Sequence, residues 1–381
     1  MTDIERLKDM DYDEFETSIN DIWKAVIKKV DVMITNSKDK SPHVSVDGIY
    51  DNMRLDWWTS GFWPGILWIL YDMSKDEVYR QIAWDYDKRI EKCFIEKSNL
   101  HHDVGFQFLP TSVIKYKLTG DLDGKRRGYE AANFLAGRFN IAGRFLRAWN
   151  QDKIGWSIID SSMNISLLFW AAEEFNDPRF KHIANAHADT VLKHFIREDG
   201  SVCHIVSFNP ESGDFIESLG GQGYGPDSAW SRGQAWALYG MANVYKYTGE
   251  TKYLRAAQKV ANYFLAALGD DYIPYWDFRA EKLDGEPKDT SAASCAASGM
   301  LEIAKHLTPE EGRLYKEKAK KILFQLTREY STFDRINYEG ILLQGTGNRP
   351  AGRNVNVSLI YGDYFYVESI AKLLGWEKSI F

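Results

Sequence analysis

The sequence predicts an all-α fold in which helical hairpins close into an α/α toroid. Three observations predict it. An aromatic-rich apolar helix, a short polar turn and a charged amphipathic helix recur five times along the 381 residues. A lone helical run stands at each end of this series, so the last helix is free to pair with the first. No Pro/Gly/Ser-rich linker and no low-complexity tract interrupts the chain, which predicts a single domain over residues 1–381. Such repeats bury their apolar faces by stacking on one another. An open array would need polar capping repeats, and neither terminal run looks like one.

The first run covers 13–36, with Phe15, Ile19, Ile22, Trp23, Val26, Ile27 and Val30 at helical spacing. Hairpins follow at 62–90, 109–139, 165–195, 236–268 and 297–326, and a half-copy closes the series at 361–375. Their turns read SKDE, TGDL, NDPR, TGET and TPEE. These put Asn, Asp, Gly or Thr where one helix stops and the next is capped. The connections at 40–58, 99–108, 140–160, 198–232, 272–294 and 331–360 are long and rich in Gly, Trp, His and Asp. In a toroid they gather at one end, and loops on a rigid scaffold tend to carry function.

Composition narrows the functional class. Lys plus Arg number 47 and Asp plus Glu 54, a net charge of −7. A dispersed acidic surface lacks the basic stripe that displaces counterions from nucleic acid, so no nucleic-acid partner is expected. Cys93, Cys203 and Cys295 are widely spaced, with no CxxC, so neither a disulfide framework nor a Cys-rich zinc site is expected. The amino terminus is acidic and lacks an apolar signal core, and no run reaches ~18 apolar residues. The expectation is a cytoplasmic protein without a membrane partner, monomeric or weakly homo-oligomeric. The 13 Trp, 21 Tyr and 20 Phe fit either a bulky core or a cleft where rings stack on sugars.

Several motifs fall in the connections. In LDWWTSGFWPGILW (55–68), Trp63 has Leu67 at i+4 and reads as core, whereas Trp58 precedes the helix and is predicted to line a cleft. HHDVGF (101–106) sets His102 and Asp103 in a short loop, with Asp103 either a helix cap or a cleft carboxylate. No further ligands follow nearby, so no metal is expected. In GWSIIDSSMNISLLFW (155–170), Asp160 reads as an N-cap or as a partly desolvated general acid, with Asn164 one turn on to orient it. His204 lies in a short extended segment, 201–208. The loop GQGYGPDSAWSRGQAW contains Gln222 and lacks the spacing of a phosphate loop. Arg232 and Trp236, at i and i+4, suit an anionic substrate with an apolar face, or a helix-surface cation–π pair. YWDF, DTSAAS and YGDYFYVES read as structural.

Taken in order, WTSGFWPGILW, HHDVGF, IIDSSMN, the WSRGQAW block, DTSAAS and YGDYFY resemble the unsaturated glucuronyl hydrolases of glycoside hydrolase family 88. The resemblance spans about residues 40–375. It implies an (α/α)6 barrel without a cofactor. It implies an enzyme that removes a 4-deoxy-4,5-unsaturated uronic acid from the non-reducing end of lyase-generated acidic oligosaccharides. By motif match Asp160 is the general acid/base and Asp103 the second essential carboxylate. Trp58, His102, His204, Gln222, Arg232 and Trp236 match positions lining the sugar pocket. On this reading Asp160 protonates C4, Asp103 stabilises charge developing at C5 and the ring oxygen, and water adds at C5. The loop 345–358 offers Arg349 and Arg353 to the leaving group. The alternatives are an unsaturated rhamnogalacturonyl hydrolase of family 105 and a non-catalytic acidic-oligosaccharide-binding protein.

Overall fold

Each helical hairpin carries its own stop and start signals. Lys75, Gly120, Asn176 and Gly249 adopt left-handed backbone at the turns (φ 60°, 75°, 50° and 69°). Asp76, Asp121 and Asp177 then cap the next helix, accepting from the N–H groups of Val78, Gly124 and Arg179. At the last turn Thr308 and Glu311 form a reciprocal capping box, with Pro309 at the first helical position. The computed structural model describes residues 3–96, 98–281 and 284–381, so residues 1, 2, 97, 282 and 283 of the predicted domain lie outside the described residues.

The helices form two concentric layers. The inner layer runs through Phe62–Ser74, Val104–Phe108 continued to Ile114–Thr119, Ser161–Asn164 continued as Ser166–Glu174, Ser231–Thr248, Thr290–Lys305 and Ile360–Leu373. Most of these residues are buried, which explains their apolar, small-residue composition. The outer helices Phe15–Ser37, Glu77–Ile90, Leu122–Ala136, Pro178–His194, Thr251–Ala267 and Pro309–Gln325 alternate with them and bury one face each. The ring closes where Ile360–Leu373 packs on both Phe62–Ser74 and Phe15–Ser37. This is the (α/α)6 barrel. Aromatic rings fill its axis: Phe106 lies 5.0 Å from Trp236 and 5.7 Å from Phe381, and Phe365 lies 5.5 Å from Trp236. Among the described residues no helix is long and apolar enough to cross a membrane.

Two features differ from expectation. The inner helices begin before the predicted boundaries, at Val104, Ser161, Ser231 and Thr290. Polar motif residues occupy their first turns and hide the apolar period there. One of them passes through a π-helical stretch, Leu109–Val113, where Pro110 denies the backbone a donor. The connections read as loops also contain small antiparallel sheets. Trp156–Ile158, Ile205–Phe208 and Phe215–Leu219 make one, and Gly345–Asn348 pairs with Arg353–Val357 in another.

Candidate active site

The starts of five of the six inner helices, or the residues just before them, meet at one end of the barrel around a cavity of about 790 Å³. Trp58, Asp103, Asp160, Arg232 and Tyr361 all line it, each from such a position. The positive ends of the helix dipoles therefore converge on the cavity and favour an anionic ligand. His102, His204 and Gln222 line it too.

Asp160 follows the strand Trp156–Ile158, and His204 precedes the strand Ile205–Phe208 that pairs with it. The Ile159 N–H donates to the His204 carbonyl (3.0 Å), which fixes the two side chains side by side. Asp160 stands at the N-cap position, yet its side chain accepts no capping hydrogen bond. The cap alternative is therefore not realised. Its Oδ1 is buried without a hydrogen-bond partner. Burial first, and the Asp103 charge second, push its carboxyl up to about 7. Half-neutral at physiological pH, it is poised to give a proton.

Asp103 has the opposite environment. His102 Nε2 approaches Oδ1 at 3.2 Å and Asn164 Nδ2 donates to the same oxygen at 3.1 Å. His101 Nδ1 lies 3.4 Å from Oδ2. Burial alone would raise its pKa, but the His102 charge and these contacts outweigh it and hold the carboxyl below its usual range. Reciprocally, Asp103 raises the His102 pKa against the burial that opposes it. Asn164 also donates to the Asp160 main-chain carbonyl (3.0 Å) and accepts from the Phe106 N–H (2.8 Å). It thus orients Asp103 rather than the Asp160 carboxyl, which corrects the sequence expectation. Gly105 permits this, since a Cβ there would stand 2.6 Å from Asn164 Cα.

The Gln222 N–H donates to His204 Nδ1 (2.8 Å). The neutral His204 ring therefore carries its proton on Nε2, which faces Asp160 Oδ1 at 3.9 Å. Burial holds this ring neutral, lowering its pKa to about 3. Gly221 makes the approach possible. It sits at φ 59°, and a Cβ would fall 2.1 Å from His204 Nδ1. Gly221→Ala is expected to cost about 1–3 kcal/mol of stability from backbone strain. It should also lower kcat/KM by displacing His204, measured by denaturant unfolding and steady-state kinetics on one preparation.

Arg232 lines the cavity from below, over the Trp230 ring at 4.4 Å. Nη1 pairs with Asp289 Oδ2 (2.8 Å), and Nη2 donates to the Gly347 carbonyl (2.6 Å). Its charge reaches the cavity while those N–H groups are already engaged. The helix-surface alternative fails, because Arg232 is only 2% exposed. Arg232→Met strands Asp289 in the interior and is expected to destabilise the fold by about 3–5 kcal/mol, read by urea denaturation.

Trp236 is the predicted pocket residue that the structure places elsewhere. It is fully buried and does not line the cavity. The i+4 step from Arg232 carries it about 6 Å down the helix axis, into the layer of rings beneath the floor. Trp58 keeps its place, partly exposed and 4.8 Å from the Tyr361 ring. Trp63 is core, as expected. The sequence reading missed His43, Trp57, Trp149, Trp156 and Tyr361, which complete the walls, and Lys153, over the Trp156 ring at 4.2 Å. The aromatic density of the connections was the available signal for four of these. Tyr361 was hidden in a motif read as structural. Arg353 lines the cavity, whereas Arg349 turns away to Glu286 (3.0 Å).

A carboxyl pushed up by burial and a carboxylate held ionised stand together in one cavity walled by indoles. Together with this barrel, such a site suits a glycoside hydrolase, and the chain's similarity to known proteins places it in that class. The model of glycosyl hydrolase family 88 matches residues 26–381, and the chain belongs to that family. It is 34% identical over 348 residues to the unsaturated glucuronyl hydrolase of Bacillus sp. (strain GL1), covering 88% of this chain and 91% of that one. It is 32% identical over 345 residues to the unsaturated chondroitin disaccharide hydrolase of Streptococcus agalactiae serotype III (strain NEM316), covering 87% and 85%. Among solved structures, the unsaturated glucuronyl hydrolase of Streptococcus agalactiae superposes with a TM-score of 0.91 at 28% identity, covering 96% of this chain and 94% of that one. The Bacillus sp. GL1 enzyme, responsible for the degradation of glycosaminoglycan, gives 0.89 at 31% identity, covering 92% and 96%.

Proposed function

We propose that this chain acts as one catalytic domain that removes 4-deoxy-4,5-unsaturated uronic acid from the non-reducing end of lyase-generated acidic oligosaccharides. The observation that carries this reading is the pairing of Asp160, half-neutral near pH 7, with Asp103, held ionised, in one cavity. The substrate's C4=C5 bond is an enol ether, conjugated through the ring oxygen. The Asp160 carboxyl protonates C4, and positive charge spreads over C5 and the ring oxygen. The Asp103 carboxylate stabilises that charge in a water-poor setting. Asp160, now a carboxylate, accepts a proton from water as its oxygen bonds to C5. The hemiketal opens to a C5 ketone by breaking the bond from C5 to the ring oxygen, and the hemiacetal this leaves at C1 expels the leaving sugar as an alcohol and becomes an aldehyde. Carbon–oxygen cleavage thus follows hydration, so the spacing rule for direct displacement at C1 does not govern this site.

The remaining residues support binding. Trp58 and Tyr361 offer ring faces to the sugar. The Arg232 charge and the helix termini favour the substrate carboxylate. Lys153 and Arg353 at the rim favour an acidic leaving group. No step uses a metal or cofactor. The three free, buried cysteines suit a reducing compartment, which supports a cytoplasmic setting.

The test follows loss of conjugated-alkene absorbance across unsaturated chondroitin-, heparin- and rhamnogalacturonan-derived products. Turnover of an unsaturated glucuronyl disaccharide is expected. Turnover of unsaturated galacturonyl-rhamnose alone would point to rhamnogalacturonan-derived substrates instead. Binding of every substrate with the chromophore intact would contradict catalysis altogether.

A further inference from the structure

Asp103 is flanked by imidazole nitrogens that bring lone pairs. His102 Nδ1 lies 2.8 Å from the Ala148 carbonyl, a position for a donor, so the neutral ring has no hydrogen on Nε2. That bare nitrogen stands 3.2 Å from Asp103 Oδ1. The Asp103 N–H points at His101 Nδ1 (3.5 Å), which leaves that nitrogen an acceptor as well. It lies 3.4 Å from Asp103 Oδ2. With both rings neutral, two nitrogen–oxygen pairs face each other with nothing between them. A single cation placed between the rings and the carboxylate relieves both contacts.

We propose that His101, His102 and Asp103 form an inhibitory site for a divalent transition metal of the zinc class. The three ligand atoms lie within 4.8 Å of one another. A tetrahedral zinc with bonds of about 2.0–2.2 Å sets its ligands about 3.4 Å apart. His102 Nε2 already meets that spacing on Asp103 Oδ1 and His101 Nδ1 meets it on Oδ2, so a turn of the His101 ring away from the Asp103 N–H brings its lone pair onto the same ion. Two imidazoles and one carboxylate select zinc, cobalt or copper over magnesium and calcium, which prefer all-oxygen shells. The His102 bond to the Ala148 carbonyl is the outer-shell contact that metal-binding histidines ordinarily make. All three residues line the cavity, so a fourth coordination position opens toward the substrate. A bound metal takes Asp103 out of service there. This inhibition rests on the activity proposed above, whereas the binding does not.

Zinc chloride is titrated into the full-length, metal-free protein by calorimetry, with cobalt(II) absorption as a second readout. One zinc per chain is expected, with no heat from magnesium. His101→Gln and Asp103→Asn should each weaken zinc by more than the about 10–100-fold that loss of an outer-shell partner costs. Circular dichroism verifies that each variant is folded. Zinc should suppress turnover and a chelator should restore it in full. Failure to bind one equivalent, or unchanged binding in both variants, would overturn the site. Stoichiometric binding with unaltered turnover would overturn its inhibitory role. A protein that binds zinc through these ligands yet turns over no unsaturated sugar would contradict the proposed activity and leave the site standing.

Discussion

Asp160→Asn removes turnover of unsaturated disaccharides while the barrel stays folded. The amide fills the same space, and the missing Oδ1 contact means that no hydrogen bond is lost at that oxygen. What disappears is the transferable proton. General acids contribute about 10²–10⁴-fold, and here the same group also serves as base, so the loss should reach the upper end of that range. The wild-type pH profile should fall on its alkaline side near 7, as the Asp160 carboxyl gives up its proton. Stability gives an independent check. A carboxyl with a folded pKa of about 7 stabilises the fold fully below its unfolded value of about 4. That contribution drains away as pH climbs through about 7. An amide at this position carries no such loss, so the Asp160→Asn variant should gain on the wild type between about pH 4 and 8 in thermal melts. Near-normal turnover in Asp160→Asn would remove the assignment.

Asp103→Asn should lower kcat by about 10²–10³-fold, the loss typical when one preorganised electrostatic partner is removed from a transition state. It also carries a signature that a merely structural residue lacks. The Asp103 charge helps hold the Asp160 carboxyl protonated, and it outweighs the opposing His102 charge. Without Asp103 the alkaline limb of the residual activity should move to lower pH. KM should change less than kcat, because Asp103 acts on charge that develops after binding. A kcat within about fivefold of wild type, or an unmoved limb, would contradict its role.

Much of the barrel was legible because its turns obey local chemistry. Gly120 and Asp121, or Asn176, Asp177 and Pro178, announce stop, cap and start within three residues. The boundaries at the mouth were not legible. There the first turns of the inner helices are polar, as at Ser162 and Asn164, because they tie the site to its neighbours: Ser162 donates to the Trp236 carbonyl and Asn164 to Asp103. The sheets escaped because strands as short as Trp156–Ile158 carry too few residues for alternation to register. Within the site, Asp103 and Asp160 stood out by motif, but their opposite proton preferences arise from neighbours distant in sequence, such as Asn164 beside Asp103. Trp236 shows the reverse limit. Helical spacing placed it on the right face of its helix and said nothing of its depth along the barrel axis.

The central claim is that a carboxyl proton goes to C4 before the glycosidic bond breaks. A single-turnover reaction in heavy water, quenched early and read by nuclear magnetic resonance, tests it directly. One deuterium is expected at C4 on a single face, with alkene absorbance lost no later than the leaving sugar appears. Release of the leaving sugar together with an intact, undeuterated C4=C5 bond would contradict it.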